Sequence, residues 1–346
     1  MKVHNKQIVY SLRDEPAQRH IGEYFQIVAF KDQYYLYYNC LNTIKLVISD
    51  TLSFLGESIF KAACNSNNEN ILKGKTRPRI VIQEAPGGNF CIIENDKRLY
   101  MLCGSHTSNE EQDEIDIPDL VWPKEKRTVL NPETKRRDRR NGMYLLSSDD
   151  GINWKEEHDK PVLHSLISSE SCQFGEVAFD TSPYLIKHND EFYYYGRLNS
   201  SLDERRIYLR KSKDLIEWTL PERLNIINEN NNDMSKNYYN PVVFKYNKQL
   251  YMLTPYFEAI GTGKSTRIYF DISSLRAYVE EAKTLLLKSQ DGLSWEIIDS
   301  CLPHEEKYKR RVNDICIQDD KVLIFYRENI PQDNQYLTSY EIDINS

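Results

Sequence analysis

Short apolar runs that break at a charged turn and resume as an aromatic segment recur five times along the chain. They are Glu23-Tyr24-Phe25-Gln26-Ile27-Val28 leading to Tyr34-Tyr35, and Asn89-Phe90-Cys91-Ile92-Ile93 leading to Leu99-Tyr100. The third is Asp180-Thr181-Ser182-Pro183-Tyr184-Leu185-Ile186 leading to Phe192-Tyr193. Asn240-Pro241-Val242-Val243-Phe244 leads to Leu250-Tyr251, and Asp314-Ile315-Cys316-Ile317 to Val322-Leu323-Ile324. Runs of this length, rich in β-branched and aromatic residues and bounded by turn formers, predict hairpins rather than helices.

A second pattern interleaves with the first. Ser148-Asp149-Asp150-Gly151-Ile152-Asn153-Trp154 reads S-x-D-x-x-x-W, and it returns from Ser212 to Trp218 and from Ser289 to Trp295. A degenerate copy, Asp50-Thr51-Leu52-Ser53-Phe54, has Phe in place of Trp. Each full copy follows an alternating segment, so strand, Asp turn and aromatic cap form a further hairpin. The Asp bonds its own turn and the Trp covers it, which makes the repeat structural. The spacing between copies suits four strands with their loops. Five first hairpins with second hairpins between them predict an all-β chain, a single five-bladed β-propeller domain over 1–346. An irregular β-sandwich is the competing fold.

Three stretches fall outside this rhythm. Residues 108–140 form a charged insertion, acidic at first and basic from Lys135 to Arg140. Such a run pairs internally as a solvated loop, or forms a flap over one end of the propeller. Asn228 to Asp233 reads as a mobile loop and Ser274 to Ala282 as a short helix. Gly261-Thr262-Gly263-Lys264-Ser265 imitates the end of a phosphate-binding loop, but Glu258 stands where the first Gly is required, and strand-like residues follow instead of a helix.

Composition narrows the partners. The net charge of −7 gives the chain no overall attraction for nucleic acid, and no segment has the apolar length of a membrane span. Seven Cys without C-x-x-C spacing, and no apolar leader after Met1, point to reduced thiols in a cytoplasmic protein. No ligand-spaced cluster demands a metal or another cofactor. Twenty-four Tyr serve sheet packing first, though aromatic rings also suit sugar faces.

Phe179-Asp180-Thr181-Ser182-Pro183, followed by Tyr193-Tyr194-Tyr195-Gly196-Arg197 and by Arg206-Ile207 through Ser212 and Asp214 to Trp218, resembles the middle blade of the arabinanase/invertase-type five-bladed propeller glycosidases. The resemblance extends over about residues 20 to 328 as a blade pattern. It implies a carbohydrate substrate and acids at the starts of the innermost strands, where carboxyl groups from different blades flank one glycosidic bond. By this likeness Glu23 is the blade-one base or nucleophile, and Asp180 orients substrate and tunes a neighbouring carboxyl. Asn89, Asn240 and Asp314 hold the equivalent starts in the other blades.

The chain departs from the pattern in three places. Glu23 stands where Asp-Pro is common, and Asp180 lies three residues before Pro183 rather than next to it. In blade four, where the family carries its general-acid Glu, Tyr239 and Asn240 stand instead, leaving Glu176, Glu258 or Asp314 to serve. Arg197 is placed to hold an anionic group, and His20 and His106 to line the same mouth. The expected activity is cleavage or transfer at a glycosidic bond. The alternatives are a phosphorylase or glycosyltransferase of the same fold, with Arg19, Arg197 and Arg327 available to phosphate, or a carbohydrate-binding propeller without turnover.

Overall fold

The computed structural model describes residues 2–11, 24–40, 43–55, 79–82, 90–105, 142–158, 162–164, 183–199, 205–231, 236–258, 283–300, 312–318, 320–330 and 334–344. Every regular element among them is a strand, and the strands form five sheets. The fold is a five-bladed β-propeller. The chain gathers into two compact units, Met1–His106 with Met143–Pro161 and Lys307–Ser346, and Thr107–Gly142 with Val162–Glu306.

The first unit holds three blades. Blade one runs Phe25–Phe30, Gln33–Cys40, Thr43–Ser49 and Arg79–Ile82, each strand antiparallel to the last. Blade two runs Phe90–Asn95, Arg98–Ser105, Gly142–Ser148 and Lys155–Glu156. Blade five runs Val312–Gln318, Lys321–Ile330 and Asn334–Asp343, and the N-terminal strand Lys2–Ser11 completes it from the far end of the chain, in a register from Lys2↔Asp343 to Ser11↔Tyr336. This completing strand falls outside the stretch that the family pattern covers; its signal is only the short apolar run Ile8-Val9-Tyr10.

Strand alternation explains why blade one is apolar on both faces. Tyr35, Tyr37, Ile44, Leu46 and Ile48 pack with Phe90, Ile92, Leu99 and Met101 of blade two. The alternate residues Ile27, Leu36, Tyr38 and Val47 pack with Phe325 and Leu337 of blade five. The tyrosine run from 34 to 38 is therefore a strand between two cores.

The second unit holds blade three, Tyr184–His188, Glu191–Asn199, Arg205–Ser212 and Glu222–Arg223. Blade four runs Val242–Tyr246, preceded by Lys236–Tyr238, then Gln249–Glu258, Lys283–Ser289 and Ser294–Ser300. A short strand after blade three, Asn225–Ile226, joins blade four's outer strand in parallel. The asparagine-rich loop that follows, expected to be mobile, is tied down where it is described. Asn231 accepts from the Ile226 amide at 3.0 Å and donates to the Asn225 side chain and the Ile226 carbonyl, each at 3.0 Å.

The S-x-D-x-x-x-W repeat has one geometry at all three copies. In the last, Ser289 donates to Asp291 at 3.1 Å and accepts from Gly292 N at 2.9 Å, while Asp291 accepts from the Leu293 and Ser294 amides at 2.8 and 2.7 Å. The residue after the Asp takes a left-handed backbone, Gly151 at φ +74, Leu215 at +68 and Gly292 at +76. Paired tyrosines of the preceding blade then dock on the turn: Tyr37 donates to Gly151 O at 2.6 Å and Tyr195 to Gly292 O at 2.9 Å. Trp154 and Trp295 close edge-on against the same two rings. In the degenerate copy the Ser role falls to Ser49 and the Asp role to Thr51, whose hydroxyl accepts from Ser53 N at 3.2 Å.

Candidate functional site

Glu23, Asn89, His106, Glu176 and Asp180 lie outside the described residues, as do Arg19, His20, the insertion at 108–140, the phosphate-loop imitation and the short helix. Arg197, Tyr239, Asn240 and Asp314 are described.

In the first unit, side chains on the inner strands bond the main chain of the next blade. Asp314 is buried in blade five, and its carboxylate accepts the Ile27 amide of blade one. Gln26 of blade one both donates to Ile92 O at 3.0 Å and accepts from Ile92 N at 2.7 Å in blade two. Inner strands end at Phe30, Asn95 and Gln318 in these three blades. Gln26 and Asp314 both stand four residues before that end, and Ile27 and Ile92 both stand three before it. The two contacts are thus one repeated device, a polar side chain supplying the bond that an inner strand's free edge lacks.

The start of blade one's inner strand is fixed a second time. Tyr24 N donates to the Asn39 side chain at 2.8 Å, and Asn39 N donates to Tyr24 O at 3.0 Å. In blade five Asn313 is an extra residue between the pairs Val312↔Tyr326 and Asp314↔Phe325. This bulge turns Asp314 toward its acceptor role. Burial, with the Asp314 charge adding to it, pushes the nearby Cys316 thiol up to about 12. Cys91, Cys103 and Cys316 are free thiols.

In the second unit, blade four's inner strand breaks at the position expected to hold a general acid. Tyr238 pairs with Tyr256 and Val242 with Leu253, so three residues, 239–241, face two, 254–255. Asn240 takes φ +45, which its short polar side chain tolerates better than a branched one would. The Thr254 hydroxyl donates to Tyr239 O at 2.9 Å and accepts from Tyr239 N at 3.3 Å, holding the bulge closed. Arg197 is buried near the end of blade three's second strand, at the edge where that blade's inner strand begins. Its guanidinium lies 4.7 Å from the centre of the Tyr239 ring. Arg206, buried in the same unit, donates to Lys236 O and lies over Tyr238.

The structure therefore brings Arg197, Tyr239 and Asn240 into one cluster and gives Asp314 a main-chain partner in the neighbouring blade. Sequence reading passed over Gln26 and Asn39. The only available signal for them was a polar residue inside an otherwise apolar or aromatic strand. Among the described residues no three His, Cys, Asp or Glu side chains gather as a metal site, and no helix is long and apolar enough to cross a membrane.

At the level of sequence, no family profile and no curated protein matches the chain. Solved structures do. A thermostable family-43 glycoside hydrolase superposes with a TM-score of 0.55 at 13 % identity, covering 94 % of this chain and 91 % of its own. An N-acetylgalactosamine deacetylase from F. plautii, solved with a blood group B trisaccharide, gives 0.55 at 11 % identity over 99 % and 96 %. The Bombyx mori GH32 β-fructofuranosidase gives 0.52 at 15 % identity over 96 % of this chain and 64 % of that one. This chain has the five-bladed β-propeller fold that the family-43 and GH32 glycoside hydrolases share.

Proposed function

We propose that the chain acts on a carbohydrate by cleaving or transferring a glycosidic bond, with Asp180 and Glu23 as its carboxylates. The observation that carries this reading is the fold likeness to a family-43 glycoside hydrolase over nearly the whole of both chains. Glycoside cleavage requires two carboxyl groups about the scissile bond, one protonated and one ionised. In this reading Glu23 and Asp180, which precede the inner strands of blades one and three in the sequence, supply one carboxyl each.

Arg197, Tyr239 and Asn240 serve as substrate contacts in this reading, with Asn89, His106, Glu176 and Asp314 as further candidates. Arg197 over the Tyr239 ring is a planar cation of the kind that recognises a hydroxyl or anionic group of a sugar. The test is release of nitrophenol from a panel of p-nitrophenyl glycosides that includes the α-L-arabinofuranoside, with sucrose assayed beside it. Asp180→Asn should lower turnover by about 100-fold or more, the effect of a misplaced substrate and a mistuned neighbouring carboxyl, while thermal unfolding stays unchanged. Wild-type turnover in that variant removes Asp180 from the site.

A second reading keeps the fold and changes the acceptor. It is favoured by blade four, where the bulge presents Tyr239 and Asn240 rather than a carboxylate. A phosphorylase or transferase uses a single carboxyl and a basic group for the acceptor, a part open to Arg19, Arg197 or Arg327. Turnover that requires inorganic phosphate would select it. The deacetylase with the same fold extends carbohydrate-directed chemistry on this scaffold beyond glycoside cleavage. A ligand that binds without conversion, in wild type and Asp180→Asn alike, would select a binding propeller.

A further inference from the structure

We infer that Asp150 and Asp291, each followed by glycine, are sites of isoaspartate formation, and that the turn around each one holds the reaction back. Neither residue is among the proposed carbohydrate contacts.

Asp150-Gly151 and Asp291-Gly292 are the two Asp-Gly pairs of the sequence. At such a pair the Gly nitrogen, with no side chain beside it, can attack the Asp Cγ. The new N–Cγ bond closes a five-membered imide, and the amide proton leaves with the carboxyl OH as water. Water then adds to one of the two imide carbonyls. Addition at the former side-chain carbonyl restores aspartate. Addition at the main-chain carbonyl leaves the chain running through Cγ, which is the isoaspartyl linkage. Asp291 is exposed and Asp150 half-buried, so water reaches both.

The folded turn opposes each step. Gly151 N donates to Ser148 Oγ and Gly292 N to Ser289 Oγ, both at 2.9 Å, so the proton that must leave is held by a serine. The Asp291 carboxylate accepts from the Leu293 and Ser294 amides at 2.8 and 2.7 Å and from the Ser289 hydroxyl at 3.1 Å. Asp150 takes the same bonds from Ile152, Asn153 and Ser148, at 2.8, 2.7 and 3.0 Å. Such bonds favour the ionised carboxylate, which is a poor electrophile. On the far side of each glycine, Tyr37 and Tyr195 fasten the carbonyl, so the residue resists swinging toward the Asp Cγ.

The third copy of the repeat separates the turn from the glycine. Asp214 sits in the same geometry, with Leu215 N donating to Ser212 Oγ at 2.9 Å and the carboxylate accepting from the Ile216 and Glu217 amides at 2.8 and 2.9 Å. Its following residue is Leu215, whose Cβ flanks the nitrogen and hinders the attack. At Asp291 an isoaspartyl link would lengthen the main chain by one carbon and move the free carboxyl to Cα. The amides of 293 and 294 would lose their acceptor, and the seat of Tyr195 on Gly292 O would shift.

The test ages the full chain in neutral buffer below its unfolding temperature, beside the same chain in urea. Isoaspartate is counted by enzymatic methylation of its free carboxyl and placed by peptide fragmentation. Deamidation at Asn141-Gly142 changes the mass and is thereby kept apart from isomerisation, which does not. In urea, residues 150 and 291 should isomerise well ahead of 214, and in the folded wild type both should be at least about tenfold slower. Ser289→Ala should raise the folded rate at 291 about tenfold, the change in opening expected for one lost hydrogen bond, and leave 150 as it was. Ser148→Ala should do the converse. If one serine variant fails to fold, the other carries the comparison. Serine variants that age like wild type, or equal rates in folded and unfolded wild type, overturn the guarding role of the turn. Isoaspartate at 214 equal to that at 291, or none at 150 and 291 in urea, overturns the sites.

Discussion

Asp150, Asp214 and Asp291 show how one residue organises a turn, and their titration makes that visible. Burial raises each carboxyl, but two backbone amides and a serine hydroxyl outweigh it and hold the group below the usual aspartate range. A carboxyl lowered in the folded state contributes stability that is present above its unfolded value and is lost as pH falls through the folded one. Comparing urea midpoints of wild type and Asp291→Asn from pH 7 downward should therefore show a gap that narrows below about pH 4. A gap independent of pH would mean that the charge on Asp291 does not stabilise the turn.

The glycine beside Asp291 has two reasons to be glycine. Its φ of +76 disfavours any Cβ, and a Cβ built there would lie 2.6 Å from the Tyr195 hydroxyl and 2.7 Å from the Tyr193 ring. Gly292→Ala should cost about 2 kcal/mol or more in chemical denaturation, from the left-handed backbone and the displaced rings together. Tyr195→Phe, which loses only the bond to Gly292 O, should cost about 1 kcal/mol. Equal losses in the two variants would leave the steric part of the argument without support. These positions were partly legible: the Ser, Asp and Trp of the repeat announce a turn, but nothing in the sequence says that tyrosines of another blade will sit on it.

Among the elements, the five hairpins were readable because they are local. An apolar run, a polar turn and an aromatic run lie within about twenty residues, and the buried faces on both sides keep the runs apolar. The bulge in blade four was not readable. It falls on Asn240-Pro241, which read only as the polar start of the inner strand, and its closure by Thr254 comes from a partner strand. Replacing Asn240 tests the bulge directly. Asn240→Gly keeps φ +45 accessible, so Asn240→Val should unfold earlier than Asn240→Gly by about 1–2 kcal/mol. Measured by thermal or urea unfolding, a harmless valine would show that the strand passes residue 240 without a left-handed turn.

The acids at the strand starts were proposed from likeness alone, and likeness carries a residue only where the motif matches. Asp314 illustrates the difference. Its place at a strand start was legible, but its bond to Ile27 spans most of the chain and depends on a one-residue bulge at Asn313. Gln26 stood inside a quoted strand and gave no sign of its partner in blade two.

For the whole molecule, the strand that the repeat did not announce is the one that joins the two ends of the chain. Lys2–Ser11 covers the edge of Asn334–Asp343 in blade five, and Val9 belongs to the core shared with blade one. Removing residues 2–11 should bare a long strand edge, lower the thermal midpoint and promote association through that edge. A truncated chain that stays monomeric with an unchanged midpoint, by light scattering and calorimetry, would show the strand to be dispensable.

We propose that this propeller converts a glycosidic bond and needs Asp180 to do so. A proton NMR time course of the anomeric region, with arabino- and fructo-oligosaccharides mixed with the chain, tests it most directly. New anomeric resonances should grow with time in wild type and be absent with Asp180→Asn. Oligosaccharide signals that broaden on binding but yield no new resonance, or that are converted equally by both proteins, would contradict it.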